Sequence, residues 1–295
     1  MSDSPQPPPS DSPLTPLAAL WAHVAANPED PCVFFPDRLG DWRWKPWRWL
    51  LSEASRWAVA LREIEPGANV GYRWRPTPEV VAADLGIQLA GATAVPVTEG
   101  DEAAVPKLAA WLPVADEPPP QELSAPVVER TLDEAYGNAA DRERRAAVGG
   151  VLVRKSEGWQ RWLPADLATA AAVLARPAQP RERPIALVAG DLAAAEERAW
   201  LAWALTAGAA LVLPGDPAFA AWAIFWPRPT DVCLPAGQLP AVRELFDTLG
   251  TPRIQRSRLK RIRRLLAYGG EPSSDEATAW QALGVSPTSW QLPSP

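Results

Sequence analysis

Short apolar runs between turn residues alternate with stretches of helical periodicity along most of this chain. No other feature so narrows the folds open to it. Leu17, Leu20, Trp21 and Val24 recur at helical spacing, with Thr15 placed to cap and Pro16 in the first turn, so a helix is expected over Pro16–Ala26. "PCVFFPDRLGDWRWKPW" reads as two short strands around a Gly-Asp turn, and 46–64 as a helix with Trp49, Leu50, Ala54, Trp57 and Leu61 inward. Next come "NVGYRW" as a strand, 78–90 as a helix, "ATAVPV" as a strand and 102–112 as a helix. Strand-helix alternation of this kind favours a parallel sheet with helices on its faces.

The Pro-rich interval "VADEPPPQELSAP" interrupts the pattern, and a second series starts behind it. In that series 131–146, 164–175, 193–206, 240–249 and 274–283 read as helices. "GGVLV", "RPIALVA", "AALVL", "TDVCLP" and "RIRRLLAYGG" read as strands. The expected fold is α/β with two stacked, parallel-rich sheet subdomains and flanking helices. Its expected parts are a disordered tail at 1–14, a first lobe at 15–115, a joint at 116–128 and a second lobe at 129–295.

A formal charge of −6 gives no reason to expect nucleic acid as a partner. Cys32 and Cys233 have no second sulfur or histidine nearby, so buried free thiols are expected rather than a metal site, and a cytoplasmic location fits. The start, "MSDSPQPPPSDSP", lacks the basic and apolar regions of a signal peptide. The apolar stretch 199–227 is broken by Gly208, Pro214, Gly215 and Pro217 into pieces too short to span a bilayer. Sixteen tryptophans suit anchors for a core otherwise built from alanine.

Several phrases, in order, carry a family resemblance. They are "DWRWKPWRWLLSEASRWAVALREI", "EPGANVGYRW", "EVVAADLGIQLAGATAVPV" with its Gly91-Ala92 turn, and "AEERAWLAWALTAGAALVL" with Glu197 and Arg198. "RPT" at 228–230 and "LLAYGGEPSSDE" complete the set. Together they resemble the N-terminal half of the adenylate-forming (AMP-binding) acyl-CoA synthetase superfamily, closest to its long-chain fatty acid-CoA ligase branch. The resemblance runs over about residues 30–290. It implies a first part of the family's fold, without the barrel and C-terminal domain, and a chemistry that joins a carboxylic acid to AMP and then to a thiol.

The resemblance also implies where phosphate would bind. In the family a Ser, Thr and Gly-rich run ending in Pro-Lys-Gly follows the strand that is "GGVLV" here. A triphosphate loop needs glycines, hydroxyls and a lysine so that backbone N–H groups converge on the anion. This chain has "RKSEGWQRW", which keeps Arg154, Lys155, Ser156 and Gly158 but adds the charge of Glu157 and the bulk of Trp159. A shortened strand-to-helix connection is therefore expected. Gly269 and Gly270 either allow close backbone approach to a ligand or serve only a turn. The six residues Arg154, Lys155, Ser156, Gly158, Gly269 and Gly270 are the candidate remnant of a nucleotide cleft. No catalytic or metal-binding residue is expected, since "GVSPTSWQLPSP" offers no carboxylate where the family has Thr-Glu.

His23, the sole histidine, is expected on a helix in a surface or capping role. The run from Arg253 to Arg264 holds seven basic residues, which suit a solvated helix face or linker, or else contact with phosphate, CoA or an anionic lipid surface. The expected protein is a catalytically degenerate acyl-CoA synthetase relative, a noncatalytic ligand-binding or interaction protein that needs no cofactor. Its expected partners are a protein, or an acyl or CoA-like ligand, with at most peripheral membrane contact. The alternative is an acid-thiol ligase using ATP and magnesium, completed by a partner that supplies the missing domain.

Overall fold

The computed structural model describes residues 14–100, 104–114, 119–120, 123, 125–131, 144–155, 158–175, 183–249 and 251–292. Its elements begin α1 (Pro16–Ala26), β1 (Pro31–Pro36), β2 (Trp42–Pro46), α2 (Trp47–Ala60), β3 (Asn69–Arg73), α3 (Pro78–Leu89), β4 (Thr93–Val97) and β5 (Ala110–Leu112). They continue β6 (Gly150–Lys155), β7 (Gly158–Trp162), α4 (Pro164–Val173), β8 (Ile185–Leu187), α5 (Ala195–Thr206) and β9 (Ala210–Val212). Last come α6 (Ala220–Phe225), β10 (Asp231–Pro235), α7 (Leu239–Thr248), α8 (Pro252–Leu259), β11 (Arg264–Tyr268), α9 (Ser274–Ala282) and β12 (Pro287–Ser289). Local chemistry sets many of these ends. Thr15 and Thr77 accept from the N–H groups of Ala18 and Val80, each ahead of a proline in the first turn, and Ser273 accepts from that of Glu276.

The strands form two mixed, mostly parallel sheets. A seven-stranded sheet runs β12-β11-β10-β8-β9-β1-β2, and a five-stranded one runs β5-β3-β4-β6-β7. Among the described residues, only β1 with β2 and β6 with β7 pair antiparallel. The largest of three core clusters draws on both sheets and on α1 to α5. Two of its helices, α3 and α5, are buried along nearly their whole length. That requires apolar or small residues on every side, which "PEVVAADLGIQL" and "AEERAWLAWALT" supply except at a few polar positions. Trp47, Trp111, Trp200 and Trp280 fill core space as expected, while Trp44, Trp222 and Trp226 stand about half exposed.

Gly86 lets α2 and α3 meet closely. A Cβ there would lie 2.5 Å from the Trp57 Cβ and 2.6 Å from the Ala54 carbonyl oxygen. Neither atom can swing away, so Gly86→Ala must push the helices apart. A loss of about 1–3 kcal/mol is expected, read as a lower urea midpoint with an unchanged slope.

Several expectations change. The strands do not sort into the two sheets in chain order. β1 and β2 join the sheet of the later strands, and β6 and β7 join the earlier one. At the end of the interval 116–128, the Trp111 N–H donates to the Pro126 carbonyl and the Val128 N–H to that of Trp111. The helix expected over 102–112 is absent from described residues 104–112. Pro106 interrupts it, and 110–112 instead pairs with β3. The helix expected over 131–146 falls largely outside the described residues, of which 144–146 are helical. The run after "GGVLV" turns back as strand β7 rather than leading directly to a helix, and α4 follows only after that.

Candidate functional site

Residues from both sheets meet just beyond the carboxyl ends of parallel strands, where open α/β folds place their ligands. After β3, the Trp74 indole donates to the Gly190 carbonyl at 2.8 Å. Thr98, after β4, donates its hydroxyl to Asp191 at 3.0 Å. From β6, Arg154 makes a 2.7 Å ion pair with the same carboxylate. The Arg154 N–H donates to the Ala193 carbonyl, and the Ala193 N–H donates to Asp191. Gly190 and Asp191 follow β8, so one short turn receives bonds from three strands of the five-stranded sheet.

Behind that turn lies Glu197, fully buried in the first turn of α5. One of its oxygens accepts from the Gly190 N–H at 2.9 Å. The other, and the Tyr268 hydroxyl at the end of β11, are buried without a well-formed hydrogen bond. Both crowd Gly190, where a Cβ would lie 2.2 Å from the tyrosine oxygen and 2.6 Å from the carboxylate. Burial pushes the Glu197 carboxyl up to about 8, against the hydrogen bond from Gly190. It is thus largely protonated at neutral pH.

A second buried cluster ties α3 to α5. Arg198 donates to both oxygens of Asp84 at 2.7 Å, and Asp84 also accepts from Tyr72 at 2.5 Å and from Gln88 at 2.8 Å. Arg198 reaches the Tyr72 oxygen and the Leu192 carbonyl as well. Burial alone disfavours the guanidinium charge, but Asp84 and Tyr72 outweigh it and hold Arg198 protonated.

Of the six candidate residues, Arg154 reaches the turn at Asp191. Lys155 lies over the Trp162 ring, 5.7 Å from its centroid, and Gly158 opens β7 with a φ of 119°. Ser156, like Glu157, lies outside the described residues. Gly269 and Gly270 follow β11 in the other sheet with φ of 72° and 150°, which a side chain would strain. A Cβ on Gly269 would meet nothing within 4 Å, so the backbone turn, not a crowding protein atom, requires glycine there.

Sequence reasoning missed Asp191, Thr98 and Trp74. The signal available was a polar Gly-Asp pair directly after an apolar strand. His23 sits on α1, stacked on Trp47, and donates from Nε2 to the Leu205 carbonyl, so it helps cap the end of α5. Cys32 and Cys233 are buried free thiols, and burial pushes both well up.

Among the described residues the donor set does not fit a nucleotide with magnesium, the group that the family resemblance implies. Asp191 is already held by Arg154, Thr98 and the Ala193 N–H, and Glu197 is buried. Among the described residues no three His, Cys, Asp or Glu side chains gather to hold a metal ion. No helix of the described residues is long and apolar enough to cross a membrane.

Comparison with known proteins agrees with this architecture. Escherichia coli MenE, solved with a phenylether-linked analogue of OSB-AMS, superposes with a TM-score of 0.69 at 16% identity, over 92% of this chain and 58% of that one. The nonribosomal peptide synthetase FmoA3 gives 0.68 at 16% identity, over 95% of this chain and 31% of that one. The N-terminal domain of FACL13 from Mycobacterium tuberculosis gives 0.67 at 16% identity, over 94% and 75%. The chain therefore spans less than two thirds of MenE and of FmoA3. No curated protein sequence matches it. Residues 20–104 match the model of the AMP-binding enzyme family, and the two sheets together have the fold of the N-terminal portion of adenylate-forming enzymes.

Proposed function

We propose that these 295 residues form a noncatalytic relative of the adenylate-forming acyl-CoA synthetases, a cytoplasmic ligand-binding or interaction protein. The β6–β7 hairpin carries this reading. Residues that would have to be an open glycine-rich loop are paired instead, Arg154 with Trp159 and Lys155 with Gly158. Arg154 is spent on Asp191 and Lys155 rests on Trp162, so neither cation of the hairpin is turned to a phosphate. Adenylation depends on holding the α-phosphate in line with the carboxylate and on neutralising departing pyrophosphate. The seam at the strand ends is the place where an acyl or CoA-like ligand would lie.

A second reading is an acid-thiol ligase that works with ATP and magnesium, completed by residues or a partner beyond this sequence. The share of MenE and FmoA3 that the chain leaves uncovered favours it. ATP-pyrophosphate exchange with a panel of short to long fatty acids and aryl acids separates the two. Exchange at background, with and without magnesium, is expected. Acid-dependent exchange that disappears in Lys155→Ala restores the ligase.

A further inference from the structure

One surface far along the chain serves neither sheet nor seam. Phe219 and Trp222 lie at helical spacing through a single turn of 3₁₀-helix and α6, Trp226 follows on extended backbone just past the end of α6, and each of the three stands about half exposed. The rest of α6, Ala220, Ala221, Ala223 and Ile224, is buried against the core, so the helix is anchored by one side and shows its rings on the other. Beside it packs α8, whose Arg258 lies over the Phe225 and Trp226 rings at 5.0 and 5.7 Å from their centroids. Arg228 lies over Trp226 as well. One turn before Arg258 on α8 is Ile254, also about half exposed. Arg253, Arg256, Lys260 and Arg261 are exposed around it. Residues 217–230 and 251–264 contain no acidic residue, although the chain as a whole carries a charge of −6.

Protein interfaces pair donors with acceptors at their rims. This surface presents aromatic rings and cationic donors, and the exposed carboxylate that flanks it, Asp216, accepts from the Ala218 N–H as the cap of the 3₁₀ turn. That composition suits hydrocarbon beneath a layer of phosphate acceptors, with indoles at the headgroup level and cations on the anionic surface. We propose that the α6–α8 face is a docking surface for anionic phospholipid bilayers, on which the rings of Phe219, Trp222 and Trp226 insert while Arg253, Arg256, Lys260 and Arg261 hold the headgroups. Arg264, although part of the same basic run, takes no part. It is buried in β11 and pairs with Asp231 at 2.9 Å.

Flotation of the full chain with phosphatidylcholine vesicles, with and without about 30% phosphatidylserine, tests the proposal. Binding is expected only to the anionic vesicles, weakening between about 0.1 and about 0.5 M salt. The pair Trp222→Ala/Trp226→Ala should weaken it about tenfold or more, and so should Arg253→Gln/Arg256→Gln/Lys260→Gln/Arg261→Gln. All six positions are exposed, and circular dichroism and the thermal midpoint check that both variants fold. Arg43→Gln, on an exposed pair far along the chain, serves as the charge control and should bind as the parent does. Absence of binding at low salt overturns the proposal. So does binding that the tryptophan pair leaves unchanged, which marks nonspecific charge attraction, or loss of self-association in place of lipid binding, which marks a contact between copies.

Discussion

Asp84→Ala should lower the stability of the protein by about 3–5 kcal/mol, among the largest effects open to a single substitution here. Arg198 and Asp84 are each at most 2% exposed, so removing the carboxylate leaves a guanidinium in the core with only the Tyr72 oxygen and the Leu192 carbonyl to meet it. Water cannot reach the charge without opening the core around it. Equilibrium unfolding in urea would register the loss as a lower midpoint. Asp84→Leu combined with Arg198→Met removes both charges and should recover most of it, because the cost comes from an uncompensated charge rather than from a missing attraction. A double variant as weak as Asp84→Ala would show that the network contributes through its hydrogen bonds instead.

Glu197 should make stability fall as the solution becomes more alkaline. Its carboxyl titrates at about 8 in the folded protein against an ordinary 4.5, so the folded chain holds a proton that the unfolded chain releases. The corresponding stability is fully present below the ordinary value, declines above it, and is lost once the pH passes about 8. The total change is about 5 kcal/mol if no other group compensates. Glu197→Gln keeps the shape and the neutral state, so it should flatten the decline between about pH 5 and about pH 8. Urea unfolding across that range, parent against variant, provides the measurement. Parallel curves would assign the proton to another group.

What the sequence disclosed was mostly local. Helix starts were legible at Thr15-Pro16 and Thr77-Pro78, where a hydroxyl precedes a proline, because capping is decided within one turn. The strand β5 was not, since three residues in "AAWLP" carry no pattern of their own and become a strand only beside β3. "RKSEGWQRW" was misjudged for a related reason. Its residues alternate in a way a strand allows, but the family resemblance directed attention to a loop. The site was less legible than the fold. Arg154 could be singled out, yet its partner Asp191 is brought to it by the meeting of two sheets. Asp84 likewise reads as one polar residue in an apolar helix until Arg198 arrives from another helix.

The hairpin of β1 and β2 has a consequence for how the chain must be made. It leaves the ribosome early, yet its parallel neighbour β9 lies at 210–212, behind the entire five-stranded sheet. Until β9 arrives, β1 offers an unpaired edge with Val33 and Phe34 on it, so the opening segment has to wait in a state open to misjoining. Synthesis cannot proceed by finishing one sheet before starting the other, and a fragment starting after residue 46 would expose the β9 edge in its turn.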